Sequence, residues 1–159
     1  MRLLAALLVS VALSATACAD DGTTGSCAEI REPEDPRSIQ HVIDAESVVF
    51  QTDPPTSGPH LSGPPLQGLF GQPIAPAAQV RTLESGGIVV QYESEGALEA
   101  MRTLLDDEGD APIAVAPNTD LPAPVVATAW TWKLTCGSPD IARIREFAAS
   151  RTVDAPGLN

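Results

Sequence analysis

The sequence predicts an α+β domain: a small mixed β-sheet with two helices, arranged β-α-β-β-α in the C-terminal half, behind a Pro-rich irregular N-terminal half. Three observations predict it. Short apolar runs bounded by Gly and Pro recur in the second half. Two segments there repeat apolar residues at helical intervals. From Asp53 to Pro76, seven of 24 residues are Pro, and Pro fixes φ and removes a backbone donor, so neither a helix nor a central strand fits that stretch.

The chain begins MRLLAALLVSVALSATA: one positive charge at Arg2, an apolar run from Leu3 to Leu13, then small residues to Ala17. That is the pattern of a bacterial export signal over residues 1–17, and the run is shorter than the ~20 residues a membrane span needs. Ala15-Thr16-Ala17-Cys18 resembles the lipobox of bacterial lipoproteins, although Leu is the usual choice where Ala15 stands. It implies a lipid on Cys18 and a protein anchored to the outer face of the cell membrane; ordinary secretion with cleavage at the same bond is the alternative. Acyl chains contribute ~0.8 kcal/mol per buried methylene, so two or three hold firmly.

Of 159 residues, 21 are acidic and 9 basic, a net charge of -12. This excludes nucleic acid, whose binding rests on neutralising phosphates with Lys and Arg. It also leaves a lipid as the sole expected membrane contact, because an acidic surface is repelled by anionic headgroups. Beyond Cys18 two cysteines remain, Cys27 and Cys136. In an oxidising compartment such a pair is most simply a disulfide; a redox couple or soft metal site is the alternative, without a C-x-x-C to support it.

Residues 18–38 are polar and contain Gly and Pro, and they read as a lipidated tether in which only Cys27 suggests fixed structure. A single globular domain is expected over 39–151 and a frayed tail over 152–159. Gln40 to Phe50 has strand composition, with Asp44 to Ser47 as a turn between two short strands. Gly87 to Tyr92 is a clear strand. Ser94 can cap a helix from Glu95 to about Asp107, with Ala97, Leu98, Met101, Leu104 and Leu105 on one face and Gly109 closing it. Pro112 to Pro117 is a second strand and Pro124 to Leu134 a third, longer one. That strand places Trp130 and Trp132 on one face, as core or as a stacking platform. Ser138 as N-cap with Pro139 in the first turn starts a helix that buries Ile141, Ile144, Phe147 and Ala148.

The segment Pro54-Pro55-Thr56-Ser57-Gly58-Pro59-His60, followed in order by Leu83-Glu84, Gly86-Gly87, Tyr92, Ala129-Trp130 and Cys136, resembles the bacterial family called domain of unknown function 3105. The likeness runs from about Cys27 to Phe147. It implies an exported or membrane-tethered protein of a type common in actinobacteria, and a histidine-based site, but it carries no activity. Where the family pattern has His-x-Leu-Glu-His-Gly, this chain reads Arg81-Thr82-Leu83-Glu84-Ser85-Gly86, so two expected imidazoles are replaced by Arg81 and Ser85.

The chain has two histidines, His41 and His60, and imidazole is the commonest metal ligand and general base. The Pro-stiffened loop can present His60 at little entropic cost. With Glu84 the set would be His41, His60 and Glu84, few ligands for copper or zinc, and Arg81 would oppose a cation. The leading expectation is a non-enzymatic binding or structural lipoprotein domain with a degenerate histidine site and an unidentified protein partner. The alternative is a copper- or zinc-binding protein; a hydrolytic enzyme using His60 comes third. No catalytic residues are assigned, since G-x-S-x-G and phosphate-binding glycine motifs are absent.

Overall fold

The computed structural model describes residues 26–45, 48–106 and 111–158. Cys18, the segment expected as an export signal, Ser47 and Asp107 to Gly109 lie outside them. The fold is α+β. A six-stranded mixed sheet is built from β1 (Cys27–Arg31), β4 (Gly68–Leu69), β5 (Ile88–Tyr92), β6 (Ile113–Pro117), β7 (Val125–Ala129) and β8 (Trp132–Cys136), in the order β1-β8-β7-β5-β6-β4. The β1–β8, β8–β7 and β7–β5 pairs are antiparallel; β5–β6 and β6–β4 are parallel. Two further short strands, β2 (His41–Val42) and β3 (His60–Leu61), form a separate parallel pair.

Three helices cover the sheet: α1 (Pro76–Glu84), α2 (Leu98–Leu105) and α3 (Ile141–Arg151). On one face Met101 and Leu104 of α2 and Ile144 and Phe147 of α3 pack on Ile88, Val90, Val115, Ala127 and Leu134. On the other, Val80 and Leu83 of α1 pack on Val89, Ala114 and Ala116. Strands buried on both faces read as near-continuous apolar runs, as Ile88–Tyr92 and Val125–Ala129 do apart from Gln91 and Thr128.

Several elements differ from the sequence expectation. Helix α1 was not expected, although Pro at its first turn and buried Ala77, Val80 and Leu83 are the signs of one. Strand β1 comes from residues expected as tether; it is fixed by pairing with β8 and by the Cys27–Cys136 disulfide, which joins partners in register. Among the described residues of the hairpin expected over 40–50, only His41–Val42 is strand, and its partner is the distant β3. The expected strand Pro124–Leu134 is instead a hairpin turning at Trp130-Thr131, where Thr131 takes φ 60°. Non-glycine residues seldom adopt that conformation. Here two backbone hydrogen bonds pin it, Thr131 N–H to Thr56 O (3.0 Å) and Glu32 N–H to Thr131 O (2.8 Å). The turn separates the two tryptophans: Trp130 joins the α1-side core, while Trp132 packs on the opposite side and lies beneath the guanidinium of Arg151.

At the helix ends, Ser94 precedes a 3-10 turn, Glu95–Ala97, and makes no side-chain cap bond. Helix α3 is capped by Asp140 rather than Ser138, its carboxylate accepting from the N–H of Arg143. Within the segment expected as a frayed tail, two 3-10 turns form, Thr152–Asp154 and Pro156–Leu158, and Ala155 between them is fully buried although Val153 and Leu158 are exposed; a Cβ on Gly157 would come within 2.6 Å of the carbonyl oxygen of Glu84.

Candidate functional site

The site is assembled from three separate pieces of chain. The first is the loop Pro54 to His60, every residue of which is buried. Its polar groups are tied to the segment that follows β1. Thr56 Oγ1 donates to Glu32 Oε2 (2.7 Å), Lys133 Nζ donates to Glu32 Oε1 (2.7 Å), and Asp35 N–H donates to Ser57 Oγ (2.8 Å). The last bond, and that of His60 Nδ1 to Gly58 O, leave Ser57 and His60 with separate partners and no nucleophile–base contact. Gly58 has φ +131°, and a Cβ there would stand 3.2 Å from the Phe50 ring, so the turn before His60 is a glycine position twice over.

The second piece is β2. Its register places His41 opposite His60, and the His60 N–H donates to Gln40 O (3.0 Å). The imidazoles meet edge to face with centroids 4.8 Å apart. His60 is fully buried and His41 exposed. The third piece is the last turn of α1, which carries Arg81 and Glu84. Gly86, at φ +81°, reverses the chain there, and the N–H groups of Gly86 and Gly87 donate back to Leu83 O and Thr82 O. This is a left-handed helix stop that only Gly takes readily. Glu84 is thus the last residue of a helix.

The three side chains converge. One ligand atom from each of His41, His60 and Glu84 lies within 4.8 Å of the others. Asp53 is outside this set and offers its carbonyl to Lys133 Nζ (3.3 Å).

The electrostatics turn on one nitrogen. His60 Nδ1 is 3.1 Å from Gly58 O. A carbonyl only accepts, so Nδ1 carries the proton and directs Nε2 inward. Nε2 lies 3.0 Å from Glu84 Oε2 yet makes no aligned hydrogen bond. A bare imidazole nitrogen and a carboxylate oxygen both accept, so a proton or a cation belongs between them. Arg81 Nη1 contacts the same Glu84 oxygen, and Arg81 Nε donates to Gly63 O (2.5 Å). Ser85 Oγ bonds to Arg81 O (3.1 Å) within the helix. Arg81 and Ser85, where the resemblance implied histidines, therefore adjoin Glu84, and Arg81 is a competing cation.

Asp35 anchors the loop from below. Hydrogen bonds from the Arg37 side chain hold its carboxyl below the ordinary value of 3.8; burial opposes this, while the Arg37 backbone N–H and charge add to it. Sequence reasoning overlooked Glu32, Asp35 and Lys133. Asp35 two residues before Arg37 has a local signal, an Asp bonding to the backbone two residues on. The Lys133–Glu32 pair spans 101 residues and has none.

Residues 41–157 match the family model described as "Protein of unknown function (DUF3105)". The match covers most of the chain, which belongs to that family. No curated protein and no solved structure matches it.

Proposed function

We propose that this DUF3105 member is an exported, lipid-anchored binding domain, non-enzymatic, which takes up a borderline divalent cation, Cu²⁺ or Zn²⁺, at His41, His60 and Glu84. One observation carries the reading: a fully buried imidazole nitrogen faces a carboxylate oxygen at 3.0 Å without an aligned hydrogen bond. Nitrogen and carboxylate ligands suit both ions. Ligands ~2.0–2.1 Å from a tetrahedral zinc lie roughly 3.4 Å apart, so the three atoms, within 4.8 Å of one another, close by at most about 1.4 Å. The exposed His41 side chain supplies that movement. Arg81 keeps affinity low, because a cation must displace it from Glu84.

The test is thermal unfolding of untagged protein with added Cu²⁺ or Zn²⁺. An ion that binds only the folded state at 100 times its Kd adds about 2.7 kcal/mol, and His60→Gln abolishes the shift. No shift in the native protein refutes the reading. Anchoring rests on the lipobox alone: Cys18→Ser releases the protein or leaves its precursor uncleaved, and unchanged membrane association and processing contradict it.

A further inference from the structure

The opposite end of the sheet holds a second candidate site, independent of the histidines. Strands β4, β5 and β6 are parallel, so their carboxyl ends lie side by side. The chain passes from β4 through α1 to β5 on one face, then through α2 back to β6 on the other. Where connections leave a parallel sheet on opposite faces, the loops beyond the strand ends part and leave a crevice, the usual ligand position in such sheets. A crevice of about 580 Å³ lies there, lined by residues following all three strands. That volume suits a small organic ligand.

Its walls are fixed by a ladder of side-chain amides. Asn118 Nδ2 donates to Gln91 Oε1 (2.8 Å), Gln91 Nε2 to Gln79 Oε1 (3.0 Å), and Gln79 Nε2 to Ile74 O (2.7 Å). Gln91 is fully buried in a central strand. A buried amide chain tolerates little displacement, since each broken link strands a polar group. It joins the wall after β6, at Asn118, to the wall after β4, which ends in Pro73-Ile74. Between the walls Leu69, Phe70, Tyr92, Leu98 and Pro117 present apolar and aromatic surface. Glu93 and Glu95, both exposed, stand on the rim, and neither makes an ion pair among the described residues; Arg102 offsets one of these two charges.

We infer that this crevice binds a small ammonium-bearing molecule with an apolar or aromatic body, the ammonium at Glu93 and Glu95 and the body against Phe70, Tyr92 and Leu98. Anions are disfavoured by the rim and by the net charge of -12. The probe is phenethylamine, with phenylacetate as a matched anion, titrated into full-length isotope-labelled protein and followed by amide chemical shifts. Phenethylamine should give saturable shifts at Tyr92, Glu93, Leu98 and Asn118, and phenylacetate none. Glu93→Gln with Glu95→Gln should weaken binding about tenfold, the loss of one modest charge contact, with the rest of the spectrum unchanged. Four results overturn the inference: no saturable shifts, shifts confined to other surfaces, equal binding of the anion, or undiminished affinity in the double variant. The metal proposal is unaffected by each of them, because these residues are not its ligands.

Discussion

His41 and His60 stand opposite each other in register on two parallel strands, their rings 4.8 Å apart at centroid. Side chains at matched positions of neighbouring strands share a face. A two-residue pairing therefore suffices to bring together imidazoles 19 positions apart (60 minus 41). Glu84 reaches them from a helix end that Gly86 terminates. The site is thus a junction of loop, strand and helix, and each part has its own support.

Arg81 is expected to be the brake on cation binding. Arg81→Gln removes the charge that shares the Glu84 oxygen and should tighten Cu²⁺ or Zn²⁺ about tenfold, a change of ~1.4 kcal/mol in binding. Arg81→His with Ser85→His should tighten it further by adding two imidazoles beside Glu84. Calorimetric titration measures both; equal affinity in all three proteins contradicts this role for Arg81.

The loop that presents His60 depends on the Lys133–Glu32 pair, both side chains at most 10% exposed. Removing one partner of a buried pair leaves an uncompensated charge and typically costs about 3–5 kcal/mol. Lys133→Met should therefore lower denaturant stability by that order, and adding Glu32→Gln should recover much of it. A single-variant loss under about 1 kcal/mol would place this pair with ordinary surface salt bridges.

Asp35 makes the same loop acid-sensitive. Its folded-state pKa is depressed, so its contribution is present above the ordinary value of 3.8 and is lost as pH falls through the folded value. Asp35→Asn should cost about 1 kcal/mol at pH 7 and flatten the fall in stability below about pH 4. Denaturation curves across pH test this; parallel profiles for the two proteins contradict it.

The disulfide closes a sequence separation of 109 residues, worth roughly 4–5 kcal/mol in the chain-entropy model. Reduced protein, or Cys27→Ser with Cys136→Ser, should unfold at markedly lower denaturant. Unchanged midpoints would mean that β1 is held by its ladder alone.

What the sequence made legible was local. Ile88–Tyr92, Ile113–Pro117 and the buried face of α3 announce themselves through apolar runs or helical spacing, and the Cys27–Cys136 pairing follows from there being just two cysteines beyond Cys18. What stayed hidden was non-local or lacked turn chemistry. The Val125–Cys136 hairpin turns at Trp130-Thr131, with none of the Gly, Asn or Asp that mark such turns, because distant Thr56 and Glu32 hold it. Two-residue strands such as β2 and β3 carry no periodicity, so the meeting of His41 with His60 has no local signal. Helix α1 was legible in Pro76, Val80 and Leu83 but obscured by the prolines before it.

The most direct test of the central claim is a titration of Cu²⁺ into untagged protein, followed by electron paramagnetic resonance, with His60→Gln alongside. The account predicts one bound ion per chain with nitrogen hyperfine structure from His41 and His60, lost in the variant while the fold persists. An identical spectrum in His60→Gln, or no bound Cu²⁺ in the native protein, would contradict it.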